Sequence, residues 1–292
     1  MLAAILAAVI PVLVSAGLGF FWVRSGRPFE NAMFTPLVVD IGTPCLIFAT
    51  FAKTSIAPAN FAAIALASAV AIGCFALLAA VVLPLAGLRL RTFLPSLSFP
   101  NNGNLGLPLA AYAFGEEGLG YAIVFYAICM IGQFTVGQAI AAGSANWRGI
   151  ARLPLIYAVL LGVGVSVWHV ALPRWFTNTI SLIGGMTIPL MLLMLGASLA
   201  RLRVVTISRS IMLSALRIGA GACIGLVIAE LLQLDATARA VLIMQCAMPV
   251  AVYNYLFAQK WNNQPEEVAS LVVVSTLVST LTVPVLLKAL MF

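Results

Sequence analysis

The 292-residue chain is 63% hydrophobic and only 8% charged, whereas a soluble domain carries roughly 25% charged residues, so water is excluded as its main solvent. Its net charge of +7 does not point to nucleic acid, because the Arg and Lys residues fall in short gaps between apolar runs, where they orient a membrane protein. Cys45, Cys74, Cys129, Cys223 and Cys246 lie inside apolar stretches without CxxC spacing, which argues against a disulfide framework and a zinc site, and no cofactor is expected.

A hydrocarbon layer about 30 Å thick takes roughly 20 apolar residues per helical crossing, and such runs recur from end to end. The first, residues 2–23, lacks a basic leader and is followed by Arg24 and Arg27, so it reads as an uncleaved span and not as a signal peptide. Polar and Gly/Pro punctuation then places spans near 32–52, 59–87, 93–114, 118–142, 153–172, 178–200, 210–232, 237–258 and 267–290. The expected fold is an all-α membrane protein of ten transmembrane helices. Odd-numbered loops hold Arg24, Arg27, Arg89, Arg91, Arg148, Arg152, Arg201, Arg203, Arg209 and Lys260, while even-numbered loops hold only Lys53, Arg174, Arg239 and Lys288. The positive-inside bias therefore puts both termini on the non-cytoplasmic side.

The two halves resemble each other at an offset of about 150 residues: Pro44 corresponds to Pro189, Pro100 to Pro249, and Glu116-Glu117 to Glu266-Glu267. A five-span unit is odd, so residues 1–142 and 153–292 form two repeats of opposite orientation, an arrangement common in secondary transporters. Chance similarity between apolar helices is the alternative.

Span 4 carries Ser98-Phe99-Pro100-Asn101-Asn102-Gly103-Asn104-Leu105-Gly106-Leu107-Pro108 at mid-membrane depth. An interior proline costs a helix about 3 kcal/mol and a glycine about 1 kcal/mol, so this run should unwind, with Pro100, Gly103, Gly106 and Pro108 as its hinge. Freed backbone groups at that depth need protein or a water-filled cavity around them. Span 9 carries a matching break at Met248-Pro249-Val250-Ala251-Val252. Two interrupted helices at equivalent places should cross at their breaks, presenting half-helix N-termini to an anion and free carbonyls to a cation. Asn101, Asn102 and Asn104, with Pro249, Val250 and Ala251 from the other side, are the candidate substrate contacts; alternatively the amides only satisfy the broken backbone.

These residues resemble the auxin efflux carrier family, in its compact bacterial form within the bile-acid, arsenite and riboflavin transporter superfamily. Pro100-Asn101 to Pro108 is similar to the family's first crossover motif, and Gln245-Cys246-Ala247-Met248-Pro249 to Phe257-Ala258-Gln259-Lys260-Trp261 to its second. Ile188 to Arg203, Arg217 to Gly225 and the opening Ile10-Pro11-Val12 to Gly17 extend the match over nearly the whole chain. The resemblance implies a sodium/proton-antiporter-like fold, with crossed broken helices 4 and 9, a scaffold of spans 1, 2, 6 and 7, and a mobile unit of spans 3–5 and 8–10. It further implies elevator-type alternating access, a homodimer, ligand contact by Asn101, and location in the bacterial inner membrane. The halves are joined by only about ten residues, Gly143 to Arg152, unlike the long loop of plant members, so small carboxylates such as malonate and malate are the implied substrates.

Asp40, four residues before Pro44, either binds a coupling proton or cation, pairs with a basic group, or sits nearer the interface; an acid at the bilayer centre costs about 2.5–3.5 kcal/mol. Arg217, one third through span 8, resembles a basic position of the family; it could attract the anion, lock the crossover by bonding freed carbonyls, or snorkel to the headgroups. Gln133, Gln138 and Gln245 either line the cavity or bond between helices. His169, at the end of span 6, reads as an interface residue.

The expected function is a secondary active or facilitative transporter of a small organic anion, its coupling ion, proton or sodium, left open. The alternatives are a sodium-coupled symporter of a bulkier amphipathic acid, and a sensor that binds without translocating, against which the lack of an appended signalling domain counts. Without an acidic pair at either crossover and without HExxH, an intramembrane enzyme has no evident chemistry.

Overall fold

The structure, a computed structural model, describes residues 2–53, 58–143 and 154–291. The expected connector, including Arg148 and Arg152, lies outside the described residues apart from Gly143.

The chain is helical throughout. In order it forms α1 (Leu2–Arg24), α2 (Asn31–Pro36), α3 (Thr43–Lys53), α4 (Pro58–Leu85), α5 (Leu90–Ser98), α6 (Leu107–Gly132), α7 (Gln138–Ala142), α8 (Pro154–Val167), α9 (Arg174–Gly185), α10 (Thr187–Arg201), α11 (Ile207–Leu231), α12 (Ala236–Cys246), α13 (Val252–Lys260) and α14 (Pro265–Met291). Wider π-helical turns at Leu37–Gly42, Asn102–Gly106 and Gln133–Gly137 join neighbouring helices. Among the described residues, seven stretches are long and apolar enough to cross a membrane, and the shorter Pro154–Val167 and Ala236–Cys246 are also apolar. Phe21, Leu77, Leu182 and Leu281 are each at least 70% exposed. Water would not tolerate such a coat, whereas hydrocarbon matches it. The protein is an integral membrane protein.

Two helices have irregular geometry, and one span is shorter than the sequence-based expectation. Asn102–Ala142 runs for 41 residues, about 60 Å at 1.5 Å per residue and twice the hydrocarbon thickness. It is broken at Gly115, whose φ of 66° and ψ of −156° suit glycine, and Tyr126 returns to pack against Gly103. The chain therefore doubles back there. The expected span over 153–172 is helical only to Val167, and His169 beyond it takes φ 50° and is exposed. Pro44 does not break its helix. It lacks the N–H that Asp40 C=O would accept from, and the ladder shifts by one residue instead, with Thr43 N–H donating to Val38 C=O.

Helix packing relies on small residues, as expected where lipid supplies no hydrophobic drive between helices. α1 lies against α10 at backbone contact distance: a Cβ on Gly196 would stand 1.8 Å from Ala16 O, and one on Gly19 2.1 Å from Leu193 O. α3 packs on α8 and α9, α4 on α5 and α6, and α11 on α12 and α14. The buried core runs between these groups through Val12, Phe75, Leu109, Phe125, Leu195 and Leu242.

Candidate functional site

The two proline-marked breaks meet. Asn101 N–H donates to Pro249 C=O at 2.7 Å, and Pro100 and Val250 form an isolated antiparallel bridge. Each break thus satisfies part of the other's freed backbone. Further bonds fix the crossing: Val250 N–H donates to Ser275 Oγ at 3.1 Å, and Asn254 Nδ2 donates to Phe99 C=O at 3.1 Å. Gln133 Nε2 donates to Asn254 Oδ1, also at 3.1 Å.

The first break is narrower than the sequence suggests. Only Phe99 to Asn101 leave helical geometry, and Asn102–Gly106 already winds as a π-helical turn. Gly103, Gly106 and Pro108 therefore lie outside the unwound stretch. Pro108 sits in the first turn of α6, where no N–H is required. Gly106 makes room for Gln245, whose Oε1 would lie 2.1 Å from an added Cβ.

A cavity of about 280 Å³ opens beside the crossing, lined by Pro100, Asn101, Asn102, Gly103, Asn104, Gln133 and Ala251 of the sequence-derived set. Asn101 and Asn102 are buried, and Asn101 Nδ2 and both polar atoms of the Asn102 amide lack partners among the described residues. Orphaned amides in the wall of a largely apolar cavity are the groups a ligand would satisfy. Pro249, Val250 and Gln245 are packed behind the wall. Asp40 is exposed and outside the cavity, and it forms no ion pair among the described residues.

Arg217 does not snorkel. It is 1% exposed, its Nη1 donates to Cys246 C=O at 2.9 Å, and its guanidinium lies 4.0 Å above the Phe75 ring. This places it at the C-terminal end of α12, behind the second break and outside the cavity lining.

Sequence reasoning missed three contributors. Asn254 bridges Phe99 and Gln133, but its partners are remote in the chain and leave no local pattern. Asn31 Nδ2 donates to Ser198 Oγ at 2.8 Å across the cavity wall. Arg201, counted only as an orienting loop charge, is the single charged residue among the described ones lining the cavity; its guanidinium also donates to Phe29 C=O. Asn254→Ala should orphan Phe99 C=O and free Gln133, costing about 1–2 kcal/mol. A melting curve in detergent checks this, and an unchanged midpoint would contradict it.

A family profile described as "Membrane transport protein" matches residues 4–146 and 139–287, nearly the whole chain. The chain belongs to that family, the auxin efflux carrier family that its crossover residues resemble. An "Uncharacterized transporter" of Methanothermobacter thermautotrophicus is 28% identical over 192 residues, 63% of each chain. The match thus spans less than two thirds of that relative's length. Membership in a transporter family gives the buried crossing and its cavity a context in which buried, unpaired amides within a membrane have a use.

Proposed function

We propose that this chain is a secondary transporter of a small organic anion, a carboxylate, working by elevator-type alternating access. The observation that carries the reading is the junction from Asn101 N–H to Pro249 C=O beside a cavity of about 280 Å³ with unpaired buried amides. Half-helices beginning at the crossing direct partial positive charge into it, the Asn amides offer further donors, and Arg201 adds a cation at the cavity's edge. Nothing acidic lines the cavity among the described residues. The carbonyl ends of α5 and α12 at the same crossing offset part of that charge, and Arg201 leaves the net preference with an anion.

The same reading takes the ten spans as two inverted repeats. α1, α2–α3, α8 and α9–α10 form the scaffold and the dimer contact, and the remaining helices form the moving unit with the crossover. The close packing of α1 on α10 and of α3 on α8 and α9 supports this division. The cavity reaches Asn31, Arg201 and Gln259, which adjoin the Arg-rich loops, so under the positive-inside orientation it faces the cytoplasm.

A thermal-shift screen of purified protein against mono- and dicarboxylates, indole acids and bile acids, each with and without sodium, tests the reading. Small carboxylates should raise the melting temperature; no response to any carboxylate would contradict it. Arg201→Gln should weaken binding of the best carboxylate about tenfold, the loss shrinking at high salt, and leave its neutral amide analogue unaffected. Equal loss for both compounds in a titration would remove Arg201 from anion recognition.

A further inference from the structure

We propose that a groove between α1 and α14 is a lipid site, holding one acyl chain of an anionic phospholipid whose headgroup rests on Arg24. This groove shares no lining residue with the crossover cavity, and its chemistry is the opposite.

The groove encloses about 200 Å³ and is walled by α1, α10 and α14, with Leu105 and Leu109 at its back. No charged residue lines it. Its only side-chain polar groups are three hydroxyls of α14, and each is already spent on its own helix. Thr276 Oγ1 donates to Val272 C=O at 2.8 Å, Ser279 Oγ to Thr276 C=O at 2.6 Å, and Thr280 Oγ1 to Leu277 C=O at 2.7 Å. A polar ligand gains nothing there, and water would lack partners. Leu13 and Leu277 belong to the wall and are 42% and 60% exposed, so the groove opens onto the surface that hydrocarbon covers.

Its length suits one chain. Val9 and Phe20, the first and last α1 residues in the wall, lie about 16 Å apart at 1.5 Å per residue, and the hydrocarbon of one leaflet is about 15 Å deep. A helix about 10 Å across is too wide for this volume at that length, which argues against a segment of a second copy.

At the Phe20 end the groove meets positive charge. The Arg24 guanidinium lies 5.9 Å from the Phe20 ring centre and makes no ion pair among the described residues. The two loops at this end carry Arg27 and Arg203, with Glu30 as their acid, and they are drawn together where the Arg201 guanidinium donates to Phe29 C=O. An exposed arginine above a chain-sized apolar slot matches a phosphate headgroup with its tail.

Gly17 keeps the slot open. A Cβ added there meets nothing within 4 Å, whereas one on Gly196, in the same wall, would stand 1.8 Å from Ala16 O. Helix contact therefore requires glycine at 196 but not at 17, where it costs helix propensity and leaves room for an occupant.

Melting of the full purified chain in detergent, with dioleoyl phosphatidylglycerol or dioleoyl phosphatidylcholine added, tests the proposal, and native mass spectrometry counts retained lipid. Phosphatidylglycerol should raise the wild-type midpoint by about 4 °C or more with one molecule retained per chain, and phosphatidylcholine should raise it less. Gly17→Leu, whose side chain fills the slot, should melt as wild type does without lipid and gain nothing from phosphatidylglycerol. Arg24→Gln should bind phosphatidylglycerol about fivefold more weakly and no better than phosphatidylcholine; if Gly17→Leu melts lower without lipid, this comparison decides. Equal stabilisation of wild type by the two lipids, an undiminished gain in Gly17→Leu, or an unchanged preference in Arg24→Gln would overturn the proposal. So would full replacement of the phospholipid by free oleate, which assigns the slot to a fatty acid, or a smaller particle for Gly17→Leu on gel filtration, which assigns it to a second copy. None of these readouts involves a transported carboxylate, so their failure is distinct from failure of the transport reading.

Discussion

Asn101→Ala protein is expected to fold and to lose carboxylate binding by about 10- to 150-fold. The backbone at this position is already committed: its N–H donates to Pro249 C=O and its C=O accepts from Gly106 N–H at 3.1 Å. Neither bond uses the side chain, so truncation leaves the crossing closed. The amide, by contrast, is buried with Nδ2 unpartnered beside the cavity. A hydrogen bond from such a donor to a carboxylate is worth about 1.5–3 kcal/mol, which at 1.4 kcal/mol per decade is about 10- to 150-fold. Titration of wild type and variant with the most stabilising carboxylate measures the effect, alongside gel filtration to confirm folding. Unchanged affinity would remove Asn101 from the site.

Gly196→Ala is expected to destabilise the protein by about 1–3 kcal/mol, the cost of overpacking a closed interface. The new methyl would stand 1.8 Å from Ala16 O and 2.7 Å from Phe20 N, and both are backbone atoms that no rotamer change can move aside. α10 would have to retreat from α1. Because α10 also carries Met191, Met194, Ser198 and Arg201 to the cavity, the displacement should weaken ligand binding as well. Gly17, on α1, has nothing within 4 Å of an added Cβ, so Gly17→Ala should hold or slightly raise stability through helix propensity. Melting curves of both variants check the pair; equal behaviour would contradict the close approach of α1 and α10.

Much of the fold is legible in the sequence because hydrocarbon is a severe filter. Few charges survive in a spanning helix, so the gaps between spans stand out, and Pro100 and Pro249 mark the breaks because each removes an N–H that no helix can replace. The composition of residues 98–108 nevertheless overstates the first break. Gly103 and Gly106 read as flexible positions, but in the structure they leave room for Tyr126 and Gln245, partners that propensity cannot reveal. Asn254 escapes notice for the same reason, since it satisfies Phe99 C=O from the other half of the chain. Arg201 is visible only as a loop charge until α10 is seen to deliver it to the cavity. For Arg217, position within a span leaves headgroup and interior equally open, and only the approach of α11 to α12 directs it inward.

The two breaks join beside one cavity with unpaired buried amides in its wall, and substrate is proposed to sit there. That placement is tested most directly by a cryo-EM structure of the purified protein with the carboxylate that stabilises it most. The account predicts ligand density between the Asn101 amide and Ala251, with Asn101 N–H still bonded to Pro249 C=O. Ligand density elsewhere, or unbroken and separated helices in place of the two breaks, would contradict it.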